Sequence, residues 1–273
     1  MPFCLIFSAV APCRKEWKER QMIDQELFEQ ALRKVLAQPK GTGGIGTLGE
    51  KSLHAVLKAY YEPYTDNHEI LLGNYVADIV GENGVIEIQS RQFEKLRGKL
   101  HAFLPLCPVT VVYPISAIKW LTSVDPVTGE RISRRRSPKQ GSLWLLFQEL
   151  YQIKPFLPHP GLTIRAVLLE TEETRLPARK PSRGKTRKLD LVPLRLIEEY
   201  DLREPPDYAK LLPALPEPFT SRELAAAEKI SLSLAQTSLN VMYTLGCVER
   251  CGKDGNRYLY RRGAPIRQKE PTT

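Results

Sequence analysis

The stretch NYVADIVGENGVIEIQ, from Asn74 to Gln89, decides how the first half of this chain folds. Its two short apolar runs are joined by ENG at 82–84, and Asn-Gly between alternating apolar residues is a strong β-hairpin signal. Asp78 lies in the first predicted strand and Glu87 in the second, so the hairpin can bring the two carboxylates together. Two acids in an apolar sheet are unfavourable unless they are compensated, and a divalent cation is the usual compensator.

Periodic patterns on either side of the hairpin predict the elements that pack against it. Apolar residues at helical spacing predict helices over 22–38, from Thr47 to about 61, and over 93–103. Residues 69–72 form a predicted short strand, and the β-branched run VTVVYPI at 109–115 is typical of a buried strand. From the second helix the order is helix, three strands, helix, strand. This order predicts an α/β (α+β) fold with a mixed central sheet flanked by helices.

The second half of the chain has a more varied pattern. Residues 123–139 predict an exposed hairpin with a basic tip, followed by a helix over 142–153 and a strand over 163–170. The segment 174–188 carries seven basic residues with Pro and Gly between them, a composition that cannot bury a core. We expect it to be a mobile basic loop within a linker and connecting helix over 174–212.

The C-terminal segment predicts a small separate domain over 213–273. Three prolines break the chain, Thr220 or Ser221 caps a short helix, and a longer helix follows over 232–245. Residues 248–262 then predict a strand, a turn and a strand. Helix, turn, helix and β-hairpin is the layout of a winged helix-turn-helix. With this domain at the C-terminus, the α/β domain is expected over 22–173.

Composition narrows the class of protein. With 273 residues, 42% of them hydrophobic, the chain can hold one large globular domain or two ordinary ones. Forty lysines and arginines against 31 acids give a formal charge of +9, which favours a polyanionic partner, most often nucleic acid. Five cysteines at irregular spacing argue against a disulfide framework and for a reducing compartment, so we expect a cytoplasmic protein.

The apolar start of the chain has two interpretations. It is too short to span a bilayer and lacks the basic residues that precede a signal-peptide core, so we expect 1–21 to be a disordered extension. A weak export signal stays open as the alternative. The sequence predicts no transmembrane segment elsewhere, and we expect no membrane partner.

The element order, together with the pattern D(8x)ExQ from Asp78 through Glu87 to Gln89, resembles the PD-(D/E)XK nuclease superfamily. The resemblance covers about residues 48–115 and implies a restriction-endonuclease-like core that hydrolyses DNA phosphodiester bonds with Mg²⁺ or Mn²⁺. It implies that Asp78 and Glu87 bind the metal with the Ile88 carbonyl, and that Glu50 on the preceding helix assists. Such cleavage needs a hard cation, and carboxylate oxygens suit one.

Gln89 departs from this superfamily, which has a lysine at the corresponding position. A glutamine can orient a water molecule but carries no charge. A nearby cation could substitute for the lysine, and the candidates are Lys51, Arg91 and Lys95. Structural roles stay open as well: Glu50 fits a capping box with Thr47, and Glu87 could form an ordinary surface ion pair.

DNA is the expected partner, and basic and polar residues supply the expected contacts. The segments 131–139 and 175–188 would bind the phosphate backbone, and the second helix of the winged helix would enter a major groove. The residues predicted to contact DNA are Arg134, Arg135, Arg136, Lys139, Gln236, Thr237, Ser238, Asn240 and Arg257, with Arg261 and Arg262 beside the last.

Two other functions remain compatible with the sequence. The chain could be a catalytically inactive DNA-binding regulator with a degenerate nuclease core, or a protein-interaction module without a nucleic-acid role. A homodimer is an option for the nuclease, because cutting both strands commonly uses two sites.

Overall fold

A computed structural model of the chain describes residues 23–37, 52–177 and 186–263. The predicted extension at 1–21, the candidates Glu50 and Lys51, and positions 178–185 of the basic segment lie outside the described residues. Within the described ranges, a mixed β-sheet is flanked by helices, and a helical unit with its own hairpin follows. The predicted α/β (α+β) class is therefore confirmed.

The elements follow one another in the order that the sequence predicts as far as β4. They are α1 (Gln25–Ala37), α2 (Ser52–Tyr61), β1 (His68–Leu72), β2 (Tyr75–Gly81), β3 (Gly84–Ile88), α3 (Arg97–Phe103), β4 (Val109–Val124), β5 (Arg131–Arg136), α4 (Leu146–Leu150), β6 (Leu162–Leu176), β7 (Arg187–Leu202), α5 (Pro205–Ala209), α6 (Ser221–Glu228), α7 (Leu232–Thr244), β8 (Val248–Asp254) and β9 (Arg257–Arg262). Among the described helices, none is both long and apolar enough to cross a bilayer.

The main sheet has the strand order β1-β2-β3-β4-β6-β7, with β5 paired to the far half of β4. The pairs β3–β4 and β4–β6 are parallel, and the other pairs are antiparallel. Strands β4, β6 and β7 have 15 or 16 residues, about 50 Å at 3.3 Å per residue. Their far halves form, with β5, an extension that we call the sheet arm (residues 119–124, 131–136, 171–176 and 187–193).

A glycine fixes the approach of the β2–β3 hairpin to β4. Gly84 has a φ of +109°, and a Cβ placed there would lie 2.2 Å from the carbonyl oxygen of Pro108. That same oxygen accepts a hydrogen bond from the Val85 backbone N–H at 2.9 Å. The turn therefore needs glycine both for its backbone angle and for the close contact with the chain entering β4.

Each face of the sheet carries its own hydrophobic core. On one face, α1 and α2 cover strand residues that include Ile79, Ile88 and Leu169. On the opposite face, α3, α4 and the C-terminal helices pack together, with Phe103 and Phe147 among the buried residues. Since both faces of the central strands are buried, their sequences are nearly continuous apolar runs, as β4 shows.

Strand β7 is the main departure from the predicted fold. A linker and connecting helix were expected over 174–212, but β6 continues to Leu176, β7 spans Arg187–Leu202, and the helix α5 has only five residues. Pro193 obscures the strand pattern because proline cannot donate a ladder hydrogen bond. The structure tolerates it because β7 is the edge strand and the register shifts beside Thr171, its partner.

The C-terminal unit has the predicted order of helix, turn, helix and β-hairpin. Thr220 caps α6 in a capping box with Glu223, and Ser231 caps α7. The unit does not have a separate core: buried residues of α7 belong to the same cluster as those of α4. The Trp144 indole also donates to Glu228 at 2.8 Å, which ties α6 to the α/β part. Helix α7 is therefore held against the α/β part along one side.

Candidate functional site

Asp78 lies where β2 and β3 separate. The paired register of these strands ends at Ile79 and Ile86, and just beyond it Asp78 Oδ2 accepts the backbone N–H of Ile88 at 2.7 Å. This side-chain bond takes the place of the next backbone hydrogen bond between β2 and β3. It places a carboxylate beside the end of β3, as the predicted metal site requires.

His54 on α2 joins Asp78 in a small polar cluster that the sequence analysis did not predict. Its Nε2 lies 3.2 Å from Asp78 Oδ2 and 3.0 Å from the Ile88 carbonyl oxygen. One imidazole nitrogen thus contacts two groups that the resemblance assigns to the metal. The signal that could have identified His54 is its place on the predicted helix that precedes the hairpin.

The environment of Asp78 favours its charged form. Burial raises the pKa of this carboxyl group, but the hydrogen bond and charge of His54, the Ile88 N–H and the charge of Lys99 outweigh it. The pKa of Asp78 therefore lies below its ordinary value, and the carboxyl group is ionised at neutral pH.

Glu87 is the more buried acid, with 2% of its surface exposed. Its Oε2 accepts a hydrogen bond from Lys99 Nζ at 2.7 Å, whereas Oε1 is buried and has no hydrogen-bond partner among the described residues. Burial, followed by the charge of Asp78, raises the pKa of Glu87 to about 7, although Lys99 acts in the opposite direction. Lys99 was not among the cations proposed from the sequence, yet it is the cation that contacts Glu87.

Gln89 is fixed by backbone contacts on both sides. Its N–H donates to the Val112 carbonyl at 2.9 Å, and its side-chain amide donates to the Arg91 carbonyl at 2.6 Å. The second bond directs the amide towards the loop that follows β3. Neither Arg91 nor Lys95, the other described candidates for a substitute cation, forms a described ion pair with Asp78 or Glu87.

A cavity of about 630 Å³ opens beside this cluster. Asp78 and Glu87 are not among the described residues that line it; His54 and Ile88, which contact Asp78, line it, whereas Lys99, which contacts Glu87, does not. The lining residues are Leu53, His54, Ile88, Gln89, Ser90, Arg91, Gln92, Pro114, Ser116, Leu169, Thr171, Lys188 and Leu191. The cavity thus borders His54 and Ile88, the two residues that contact Asp78.

Asp190 holds the N-terminus of α2, the helix that carries His54. Its carboxylate accepts the Ser52 N–H at 3.2 Å and the Ser52 hydroxyl at 2.5 Å, and it also accepts the Leu191 N–H. A carboxylate at a helix N-terminus satisfies unpaired N–H groups and complements the helix dipole. The strand β7, which the sequence analysis missed, thus positions the helix of the candidate site.

The donors present at the site fit a hard divalent cation only in part. In the ranges 23–37, 52–177 and 186–263, no three His, Cys, Asp or Glu side chains converge as a metal-binding group. Oxygens of Asp78 and Ile88 meet at His54 of α2, and Mg²⁺ prefers oxygen ligands, but the Glu87 carboxylate is contacted by Lys99 of α3, a helix that packs on the opposite face of the sheet. Glu50, the further predicted participant, lies outside the described residues.

The predicted DNA contacts on β5 differ in how they are held. Arg134 stacks 4.1 Å from the Trp120 ring centre, and its guanidinium pairs with Glu172 at 3.3 Å. Arg135 and Arg136 are exposed on the same strand, and Lys139 is exposed just after it. Strand β5 is a sheet edge, so it presents these charges along one border of the sheet arm.

The predicted base contacts of α7 are only partly accessible. Ser238 was predicted to read DNA, but it is fully buried and its hydroxyl donates to the Leu234 carbonyl, so that prediction is wrong. Gln236 is exposed and Thr237 half-buried, whereas the Asn240 amide oxygen accepts a hydrogen bond from Lys154 at 2.9 Å. Sequence periodicity alone did not show which side of α7 faces the α/β part.

The predicted wing cations have acidic or carbonyl partners. Arg257 pairs with Asp254 at 3.5 Å, Arg261 pairs with Glu249 at 2.8 Å, and the Arg262 guanidinium donates to two backbone carbonyls. These contacts reduce the positive charge that the hairpin offers to phosphate. The exposed border of β5 is the better candidate surface for a polyanion.

Comparison with known proteins gives a family match. The family model described as "Domain of unknown function (DUF8091)" matches residues 51–203, more than half of the chain and the part that holds the candidate site. An uncharacterized protein of Treponema pallidum (strain Nichols) is 29% identical over 238 residues, which cover 83% of this chain and 91% of that protein. No solved structure matches the chain.

Proposed function

We propose that this chain, which belongs to the DUF8091 family, is a metal-dependent nuclease-like protein that hydrolyses DNA phosphodiester bonds. One observation carries the proposal: Asp78 and the Ile88 carbonyl contact the same His54 nitrogen at the point where β2 and β3 separate. Their oxygens therefore lie close together at the position where the PD-(D/E)XK resemblance expects the metal.

The buried carboxylate of Glu87 supports the same proposal. A buried oxygen without a hydrogen-bond partner is unfavourable, and such groups commonly mark sites of catalysis or of ion binding. A cation near Glu87 and Asp78 would compensate both acids. When bound, Mg²⁺ or Mn²⁺ would supply Lewis-acid polarisation of the phosphoryl oxygen and a lowered pKa for the attacking water.

The other residues of the site would position the reacting groups and neutralise negative charge. Lys99 brings a positive charge to Glu87, which offsets the absence of a lysine at position 89. Gln89 would orient the attacking water through its amide, and His54 orients Asp78 through Nε2. Glu50 keeps its proposed assisting role, which follows from the resemblance.

DNA is the proposed partner because of the charge distribution. The chain carries a formal charge of +9, and the β5 border exposes Arg135 and Arg136. Binding through phosphates would weaken steeply as salt rises, because each contact releases condensed counterions. We also propose a cytoplasmic location and keep a homodimer as an option for cutting both strands.

A catalytically inactive DNA-binding regulator is the second candidate. Two observations favour it: Gln89 lacks the lysine charge, and the His54 nitrogen contacts two of the oxygens that a metal would need. In this case the Asp78–His54 pair would be structural. The protein would bind DNA without cutting it.

The test is cleavage of supercoiled plasmid with Mg²⁺ or Mn²⁺, compared among the wild type, Asp78→Asn and Glu87→Gln. Asp125→Asn, in the exposed β4–β5 turn, is the matched control. We expect the wild type and the control to nick the plasmid, and both site variants to lose activity. Equal cleavage by all four proteins would contradict the proposed site. Retardation of DNA without cleavage by the wild type would favour the regulator.

A further inference from the structure

The cavity beside the candidate metal site combines apolar walls with short polar groups. Leu53, Pro114 and Leu191 provide apolar surface, and the polar lining includes Gln89, Gln92 and Ser116, whereas Leu169 and Thr171 border the cavity but are fully buried. Its volume of about 630 Å³ is in the range of small-molecule sites. Flat apolar groups with hydrogen-bonding edges suit such a lining, because the walls contact the faces while amides and hydroxyls contact the edges.

A group of cations continues from the cavity along the sheet arm. Glu173 is shared by Lys119 at 3.4 Å, Arg175 at 2.5 Å and Lys188 at 3.6 Å. All three cations contact this one carboxylate, and Lys188 lines the cavity as well.

This cationic group lies on the face of the sheet that carries the cavity. Side chains two residues apart along a strand point to the same face, so Leu169, Thr171, Glu173 and Arg175 of β6 share one face. The first two line the cavity, and the last two belong to the cationic group. The ion-paired cations thus continue along the arm on the same face as the cavity.

We propose that the cavity binds one unpaired nucleotide of single-stranded DNA. The base lies between the apolar walls with its edge at the polar groups, and the flanking phosphates lie along Lys119, Arg175 and Lys188. A base within a duplex is stacked and paired, so it cannot enter without being extruded, whereas a base of a single strand can. This inference rests on the proposed nuclease function and specifies its substrate class as single-stranded DNA.

The test measures binding without cleavage. A fluorescein-labelled 12-nucleotide single strand and the duplex of the same sequence are titrated with the full-length protein in EDTA, and fluorescence anisotropy is read. Ser116→Leu fills the cavity, and Thr110→Leu, on β4 before the cavity, is the matched control. We expect Ser116→Leu to weaken single-strand binding by about tenfold, the loss of roughly one base contact. The control and duplex binding should change little.

A second variant tests the cavity without introducing a larger side chain that could prevent folding. Gln92 is exposed and has a φ of +62°, so Gln92→Gly removes a polar group of the cavity while suiting the backbone. It should also weaken single-strand binding and leave the duplex unaffected. Equal affinity for both DNA forms, unaltered by either cavity variant, would overturn the nucleotide site, as would absence of single-strand binding. Plasmid cleavage by the wild type and by Asp78→Asn tests the nuclease proposal separately from this binding experiment.

Discussion

Lys99 Nζ lies 2.7 Å from Glu87 Oε2, so a cation from α3 reaches the buried acid of the candidate site. If this cation replaces the missing lysine charge, Lys99→Met should lower plasmid cleavage by about 100-fold, the usual effect of removing one electrostatic stabiliser. Lys99→Arg should retain part of the activity because it keeps the charge. The measurement is the initial nicking rate with Mg²⁺.

Lys95→Met is the matched control for that experiment. Lys95 is exposed, four residues before Lys99, and was a substitute cation suggested by the sequence. Its loss should change the nicking rate little. A larger effect for Lys95→Met than for Lys99→Met would show that the wrong cation has been assigned.

Gly84→Ala should be strongly destabilising. An alanine Cβ there would overlap the Pro108 carbonyl oxygen in addition to adopting a φ of +109°. Gly129→Ala, at a φ of +74° with open space around it, isolates the backbone effect. We expect about 1 kcal/mol for Gly129→Ala and about 3 kcal/mol or more for Gly84→Ala in urea unfolding. Equal losses would mean that the close contact with Pro108 has no energetic consequence.

Asp190→Ala should affect both stability and the site. It removes the carboxylate that satisfies the α2 N-terminus, with an expected loss of about 2 kcal/mol in unfolding free energy. Asp24→Ala removes an exposed contact to the Leu27 N–H before α1 and should cost about 0.5–1 kcal/mol. Because α2 carries His54, Asp190→Ala should also slow cleavage while Asp24→Ala does not. A nicking rate unchanged in Asp190→Ala would separate α2 anchoring from function.

Glu199 should make stability depend on pH. Burial raises its pKa above the ordinary value of 4.5, although the Tyr61 hydroxyl and the Arg165 charge oppose this shift. The folded state therefore holds this proton more tightly than the unfolded state does. The stabilisation is present below pH 4.5 and is lost as pH rises through the folded pKa.

Glu199→Gln tests this dependence because the amide mimics the protonated acid. Urea unfolding at pH 4.5 and pH 7 should show a smaller loss of stability in this variant than in the wild type. Glu130→Gln, on an exposed turn, should behave as the wild type. If Glu199→Gln loses as much stability between pH 4.5 and pH 7 as the wild type does, the pH dependence comes from other groups.

The sequence predicted the local part of the candidate site well. Turn chemistry and alternation gave the β2–β3 hairpin, and the element order up to β4 was confirmed. The partners of the acids were not predicted. His54 is 24 residues from Asp78, and Lys99 is 12 residues from Glu87. No periodic pattern relates such pairs, since their contact depends on how α2 and α3 lie on the sheet.

Strand β7 and helix α7 show the same limit on a larger scale. A basic segment and Pro193 made the strand pattern of β7 hard to recognise in the sequence. In the structure β7 pairs with β6 along its length. Helical periodicity predicts α7, but only the packing of this helix on the α/β part shows that Ser238 is buried and that Asn240 contacts Lys154.

The sequence by itself determined the elements as far as β4, the mixed α/β class and the place of Asp78 and Glu87 on neighbouring strands, because turn residues and side-chain periodicity act over short distances. The tertiary structure decided the partner of each acid, namely His54 for Asp78 and Lys99 for Glu87. It also decided that one carboxylate oxygen of Glu87 is buried without a described partner. The reason is physical: the energy of a buried charge depends on what packs around it, and distant parts of the chain supply those neighbours.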